Sequence, residues 1–195
     1  MNLLRFHSRI NQLVMLLLVG FLAFSISSCK DDDDDDEQVD TPTLYDRVGG
    51  TEMVTDPVNG GQIQKGRLTL RAVVDSAGPI IVTDPRLAGD FQILLAELND
   101  GNTSGLAALS KNLTDFFVVA TSGGEVGSYT GLNMKDAHDP AINDDRLVSK
   151  STDAEMDAFI EDVGKSLAKN GVTDQALIND LVALLETLRG DIVQE

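Results

Sequence analysis

The segment DFFVVATSGGEVGSYTGLNMKDAH, residues 115–138, changes character along its length. It begins with an apolar stretch, passes through a turn rich in glycine and serine, and ends at His138. The chain contains two histidines, His7 and His138. A neutral imidazole is the commonest metal ligand among protein side chains. The sequence around His138 therefore decides whether this residue has a chemical role.

The stretch that leads into this segment is predicted to be helical. In residues 105–121, apolar side chains recur at intervals of three and four, which places them on one helix face. These side chains are Leu106, Leu109, Leu113, Phe116 and Phe117. Before them, DPRLAGDFQILLAEL (84–98) indicates a turn followed by a short helix.

The last third of the chain predicts two further helices, because residues 151–171 and 173–193 each carry an apolar stripe at helical spacing. Thr152 and Glu155 form a capping box at the start of the first stripe, and Gly171 stands where that helix should end. The stripes are Met156, Phe159, Ile160, Val163 and Leu167, then Leu177, Ile178, Leu181, Leu184, Leu185, Leu188 and Ile192. A short connection makes them an antiparallel pair.

Residues 55–81 leave two interpretations open. The alternating stretch RLTLRAVV fits a strand or hairpin as well as a helix, and Gly60-Gly61 indicates a turn. Pro79 after Gly78 is expected to break any helix that runs through this region.

The N-terminal region predicts export. It contains Arg5 and Arg9 and no acidic residue before the apolar stretch LVMLLLVGFLAFSI (13–26). This stretch is shorter than the roughly 20 residues that a membrane-spanning helix needs, and the pattern is typical of a secretory signal peptide.

The end of the signal is more specific. ISSC resembles the lipobox of bacterial lipoproteins, in which the cysteine is lipidated and becomes the new N-terminus. The cysteine is Cys29, the only one in the chain, so no disulfide is expected. We expect residues 1–28 to be a lipoprotein signal peptide. The alternative is an ordinary signal peptide followed by a chance cysteine.

An acidic run, KDDDDDDEQVD (30–40), follows the cysteine. Like charges repel one another, so the run predicts a solvated spacer. CKDDD also resembles the acidic export signal of surface lipoproteins of Bacteroidota. We therefore expect residues 29–40 to be a lipidated tether that holds a domain of residues 41–195 at the outer membrane or cell surface.

The charge and residue types exclude other classes of function. A chain of 195 residues with a net charge of −17 lacks the basic surface that nucleic acids require, so no nucleic-acid partner is expected. The same acidity disfavours contact with anionic lipid, so membrane contact is expected only through the lipid on Cys29. A zinc site would need several histidine or cysteine ligands. No nucleophile with a catalytic partner is recognisable, so we expect no enzyme activity.

Several stretches together resemble the group I truncated hemoglobins. LYDRVGG (44–50) resembles the opening of these proteins, and residues 73–91 have the length and end pattern of their second helix and following turn. Residues 115–138 are similar to the family's segment from the distal to the proximal helix, and the final helical pair is similar to its last pair. The stretch YTG…M…AH is the most specific part.

This resemblance covers most of residues 44–193, with extra residues near 55–70 and 139–152. It implies an all-α, globin-like fold (truncated, two-over-two helical) with an irregular insertion near residues 55–70. It also implies a heme b cofactor, and oxygen, carbon monoxide or nitric oxide as ligands.

Carried over by position, His138 corresponds to the family's proximal iron ligand. Met134, one helical turn earlier, would face the same pocket, and Phe91 corresponds to the aromatic residue that packs against the porphyrin. Leu109 and Leu113 fall on the two distal positions. All five are expected to line a heme pocket.

The distal positions depart from the family, which commonly has a tyrosine on the second helix and a glutamine on the distal helix. Here Gly78 and Leu113 occupy these positions, so neither can donate a hydrogen bond and weak retention of oxygen is expected. The main hypothesis is a membrane-anchored heme protein that binds a small gas or carries heme, in one version handing it on to a transporter. The alternative is a heme-free, globin-like surface lipoprotein that acts as a binding module.

Overall fold

A computed structural model describes residues 41–143 and 145–195 of the chain. The predicted signal peptide, Cys29 and the acidic tether lie outside the described residues. Within these two ranges, no helix combines the length and the apolar character needed to cross a membrane.

The described chain is mainly helical. The helices are α1 (Leu44–Arg47), α2 (Lys65–Ile81), α3 (Gln92–Asn99), α4 (Ser104–Thr121), α5 (Met134–Ala137), α6 (Asp153–Lys169), α7 (Gln175–Glu186) and α8 (Arg189–Ile192). The strands β1 (Met53–Thr55) and β2 (Gln62–Gln64) form an antiparallel hairpin in which Val54 pairs with Ile63. The predicted all-α class is confirmed, and this hairpin is the main irregular feature of the predicted insertion.

Four long helices build the core. Helix α2 packs against both α4 and α6, and α6 packs against α7. The buried side chains between them include those of Leu70, Val73, Val118, Met156, Val163, Leu167, Leu181 and Leu185. Within this core the Ser166 hydroxyl donates a hydrogen bond of 2.6 Å to the Val73 carbonyl, which fixes α6 against α2.

The helices predicted from apolar stripes are confirmed, with one difference. The capping box of Thr152 and Glu155 is present at the start of α6, and Gly171 follows its end with a φ of +77°. The second stripe is divided between α7 and α8, because the backbone N–H groups of Leu188 and Asp191 bond three residues back instead of four. A tightened turn of this kind ends an α-helix.

The expectation that Pro79 would break a helix was wrong. Helix α2 continues through Pro79 to Ile81. Proline displaces the preceding residue from the helical region partly through that residue's Cβ atom, and Gly78 has none. Only the bond of the missing Pro79 N–H is lost, near the end of the helix, and the N–H of Val82, which directly follows the helix, bonds to the Gly78 carbonyl at 3.1 Å.

The LYDRVGG motif places a tyrosine in the core beside α2. Tyr45 has 0% exposure, and its hydroxyl donates a hydrogen bond of 2.8 Å to Gln64 Oε1. The ring lies against Gly66, where an added Cβ would come within 2.9 Å of the ring carbons. A glycine at this position therefore allows α1 and the start of α2 to approach closely.

The hairpin is attached to α2 by a partly buried ion pair. Asp56, at the end of β1, accepts two hydrogen bonds of 2.8 Å from the guanidinium of Arg71. Its Oδ1 also accepts the backbone N–H groups of Val58 and Asn59. Arg71, together with these backbone donors, holds the pKa of the Asp56 carboxyl well below its usual range.

Candidate functional site

A cavity of about 800 Å³ lies among helices α2 to α8 and has mostly apolar walls. The structure brings every residue predicted to bind a cofactor to this cavity. These residues are Phe91, Leu109, Leu113, Met134 and His138. Gly78 lines the cavity as well.

His138 is oriented by its own helix. It directly follows the single turn of α5, whose N-terminus is capped by the Asn133 side chain accepting the Asp136 N–H at 2.9 Å. The Nδ1 atom of His138 lies 2.8 Å from the Met134 carbonyl oxygen. A carbonyl only accepts hydrogen bonds, so in the neutral ring the proton is on Nδ1 and the lone pair is on Nε2. This is the arrangement in which an imidazole binds a metal ion.

Two neighbouring segments hold α5 in place. The Asn143 side chain donates a hydrogen bond of 3.0 Å to the Ala137 carbonyl, and Gln194 donates one of 2.7 Å to the Lys135 carbonyl. Gln194 is itself positioned by its backbone N–H, which bonds to the Ser151 carbonyl at 3.1 Å. The position of His138 therefore depends on the segment after α8.

Helices α2 and α4 supply the wall on which the resemblance places the distal positions. Leu109 and Leu113 are half-buried there and offer no hydrogen-bond donor. An added Cβ at Gly78 would meet no atom within 4 Å, so there is open space where the resemblance places a tyrosine.

Sequence reasoning did not identify the polar residues of the cavity. The Ser110 hydroxyl donates to Asp75 at 2.5 Å and the Tyr129 hydroxyl to the Leu132 carbonyl at 2.7 Å, so both donors are engaged. Asn112 also lines the cavity but is exposed. Ser110 and Asn112 directly adjoin the predicted leucines Leu109 and Leu113 in the sequence, and this neighbourhood was a usable signal.

The charged groups of the cavity are mostly acidic. Asp75, Asp90 and Glu155 line it, and Arg146 is the single lysine or arginine found there among the described residues. Burial and the neighbouring Glu155 raise the pKa of the Asp90 carboxyl, although Ser149 donates a hydrogen bond to it at 3.2 Å. No periodicity in residues 139–152 indicated that Arg146 would reach this cavity.

The ligand chemistry of the site follows from these facts. In the two described ranges, no group of three or more histidine, cysteine, aspartate or glutamate side chains could hold a metal ion. A single imidazole in an apolar cavity does not suit a bare metal ion, which needs several protein ligands. It suits a metal that an apolar organic cofactor already holds.

The architecture is that of a truncated globin. Thirteen chains of known structure match it, among them a truncated hemoglobin from Tetrahymena pyriformis, solved as a tyrosine-to-phenylalanine mutant in the Fe(III) form. The TM-score is 0.53 at 23% sequence identity, and the match covers 79% of this chain and 100% of that chain. No protein-family profile and no curated protein sequence matches the chain. The likeness to the solved structure shows the fold.

Proposed function

We propose that the domain of residues 41–195 binds one heme b in this cavity, with His138 as the iron ligand, and so binds a small gas or carries heme. The proposal rests on one observation above all. The only imidazole of the domain lines an apolar cavity, and its Nδ1 atom is already bonded to a backbone carbonyl. We also propose that the domain is of the group I type and that it is not an enzyme.

The residues of the cavity fit this cofactor. Its volume of about 800 Å³ falls within the roughly 300–1,000 Å³ of typical ligand sites, and Phe91 and Met134 supply apolar contacts. When bound, heme would supply an iron centre that can take a gas ligand. The protein's own contribution is to orient the imidazole and to place Leu109 and Leu113, which exclude water and offer the gas no hydrogen bond, on the other side of the cavity. We therefore expect oxygen to be held weakly compared with carbon monoxide.

The test is a titration of the domain with hemin, followed by the Soret band, beside a His138→Ala variant. Wild type should bind one heme per chain saturably, and the variant should lose or change the band. Free imidazole added to the variant should restore the band, because the truncated side chain leaves room for it. Rescue by imidazole distinguishes a folded variant that lacks only the His138 imidazole from a variant that has lost its fold.

A heme-free binding module remains the alternative, and the acidic side chains of Asp75, Asp90 and Glu155 favour it, because they would repel a cofactor that carries carboxylates. If wild type and His138→Ala respond alike to hemin, or neither responds, this alternative is supported. The next experiment would then be to identify the proteins or other molecules that this domain binds at the cell surface.

We further propose that Cys29 anchors the protein to a membrane. The lipobox-like ISSC and the acidic run after it support this, with residues 1–28 removed as a signal peptide. In cells fed a labelled fatty acid, the wild-type protein should carry the label and sediment with outer membranes. A Cys29→Ser variant should do neither. A variant that stayed labelled would contradict the proposal.

A further inference from the structure

An ion pair joins two of the segments that line the cavity. Nη1 of Arg146 lies 2.9 Å from each carboxylate oxygen of Glu97. Glu97 belongs to α3, and Arg146 belongs to the loop that follows His138. The side chains are 22% and 43% exposed, so the pair, here called the clasp, lies at the edge of the cavity. Asp145 adds a weaker contact of 3.5 Å to Nε of Arg146.

The first turn of α4 leaves room for the clasp. Gly105 is buried there, and an added Cβ would lie 2.1 Å from Glu97 Oε2 and 2.8 Å from Nη1 of Arg146. Any larger residue would push the carboxylate away. The close approach of Glu97 and Arg146 thus depends on the absence of a side chain at this position.

The clasp involves the one strong cation available in the cavity. Among the described residues, Arg146 is the only lysine or arginine that lines it, whereas three carboxylates do. A porphyrin with carboxylate groups needs a cationic partner, and a guanidinium suits a carboxylate better than any other side chain does. In the structure, the guanidinium of Arg146 is already paired with the Glu97 carboxylate.

We propose that Glu97 and a carboxylate of bound heme compete for Arg146, so that the clasp opens when heme enters and limits how tightly heme is retained. This rests on the proposed function. It assigns Arg146 as a heme-binding residue and Glu97 as an internal competitor. The consequence is a heme that exchanges more readily than the apolar walls alone would allow.

The test compares two probes, hemin and hemin dimethyl ester, which lacks free carboxylates. Each is titrated into the wild-type protein and into Glu97→Gln, Arg146→Gln and Asp180→Asn. The last variant is the matched control, because it removes one negative charge from the exposed Arg47–Asp180 pair, whose residues do not line the cavity. Circular dichroism confirms that each variant is folded.

Glu97→Gln should bind hemin more tightly than the wild type by up to about fivefold, since a partly exposed ion pair contributes at most about that factor. Arg146→Gln should bind hemin more weakly than Glu97→Gln, but below the wild type by less than that factor, because the wild-type Arg146 must leave Glu97 before it can pair with heme. Asp180→Asn should bind like the wild type. The ester should bind all four proteins with equal affinity. Should Arg146→Gln fail to fold, Glu97→Gln with the two probes still decides the matter.

Two results would overturn the proposal in different ways. If hemin does not bind the wild type, both the heme function and the clasp proposal fail. If hemin binds but Glu97→Gln leaves its affinity unchanged or weaker, or if the ester shows the same changes, only the clasp proposal fails. Glu97 would then be a structural residue.

Discussion

At the scale of single residues, the Nδ1 contact of His138 explains why a helix of one turn is sufficient for the site. The acceptor is the carbonyl of Met134, four residues earlier on the same turn. The imidazole is therefore oriented by local backbone geometry and needs no partner from a distant helix. The sequence pointed to His138 through the resemblance of the local stretch YTG…M…AH, whereas the contact of Gln194 with Lys135 joins distant parts of the chain and no local pattern indicated it.

The open space at Gly78 allows a test of the distal wall. Gly78→Tyr and Gly78→Phe differ by one hydroxyl, and an added Cβ meets nothing within 4 Å. If heme binds as proposed, the tyrosine variant should release oxygen about fivefold more slowly than the phenylalanine variant, because one hydrogen bond contributes about 1 kcal/mol. Carbon monoxide release, followed by the same stopped-flow method, should be similar in both. Equal oxygen rates would contradict this prediction.

Gly66 is predicted to be required for packing. Gly66→Ala should lower the free energy of unfolding by about 1–3 kcal/mol, because the new methyl group meets the Tyr45 ring and the Gly50 backbone. Gly164→Ala is the matched control, since it is also helical and its added Cβ meets nothing within 4 Å. It should stabilise the protein by up to about 1 kcal/mol. Urea unfolding measures both, and equal effects would show that packing at Tyr45 is not the cause.

At the scale of helices and strands, the sequence predicted those elements whose pattern is local. Helices α4, α6 and α7 follow from apolar stripes, and α6 also from its capping box. The hairpin and α2 could not be separated, because RLTLRAVV alternates and yet also fits a helix buried between two others. The clasp was not predictable, since it joins Glu97 to a residue in a loop without periodicity.

The ion pair that holds the hairpin predicts a pH dependence. The pKa of Asp56 is lower in the folded protein than the unfolded value of about 3.9. Its ionised form therefore stabilises the fold above about pH 4, and this contribution is lost as the pH falls towards the folded pKa. Wild type should be more stable than Asp56→Asn at pH 7, and the difference should shrink only below about pH 4.

Urea unfolding at a series of pH values measures this difference. Asp100→Asn, which changes an exposed carboxylate at the end of α3, serves as the control and should follow the wild type. A stability difference that was the same from pH 7 to pH 3 would show that ionised Asp56 is not what anchors the hairpin.

At the scale of the whole molecule, the cavity interrupts the core. The helices around it forgo contacts that a filled interior would provide, and each lost contact removes some dispersion energy. A ligand that binds only the folded state restores contacts and shifts the unfolding equilibrium by mass action. The free energy of unfolding of this domain should therefore depend on whether a ligand occupies the cavity.

Hemin should accordingly raise the midpoint of thermal unfolding. At a free concentration of 100 times the dissociation constant, the expected stabilisation is about 2.7 kcal/mol for one site. His138→Ala should gain less at the same hemin concentration. Binding visible in the Soret band without any rise in the midpoint would show that hemin attaches elsewhere or also binds the unfolded chain.

The hydrogen bond from Gln194 to the helix of His138 has a mechanical consequence. Gln194 contacts the segment that carries the proposed iron ligand: its side chain donates a hydrogen bond of 2.7 Å to the Lys135 carbonyl, and it lies next to the parallel bridge between Ser151 and Val193. A force or a bulky group applied to this end of the chain would reach His138 through a single hydrogen bond. In a protein proposed to be tethered at its other end, a neighbour that pulled on residues 193–195 would loosen the histidine without entering the cavity.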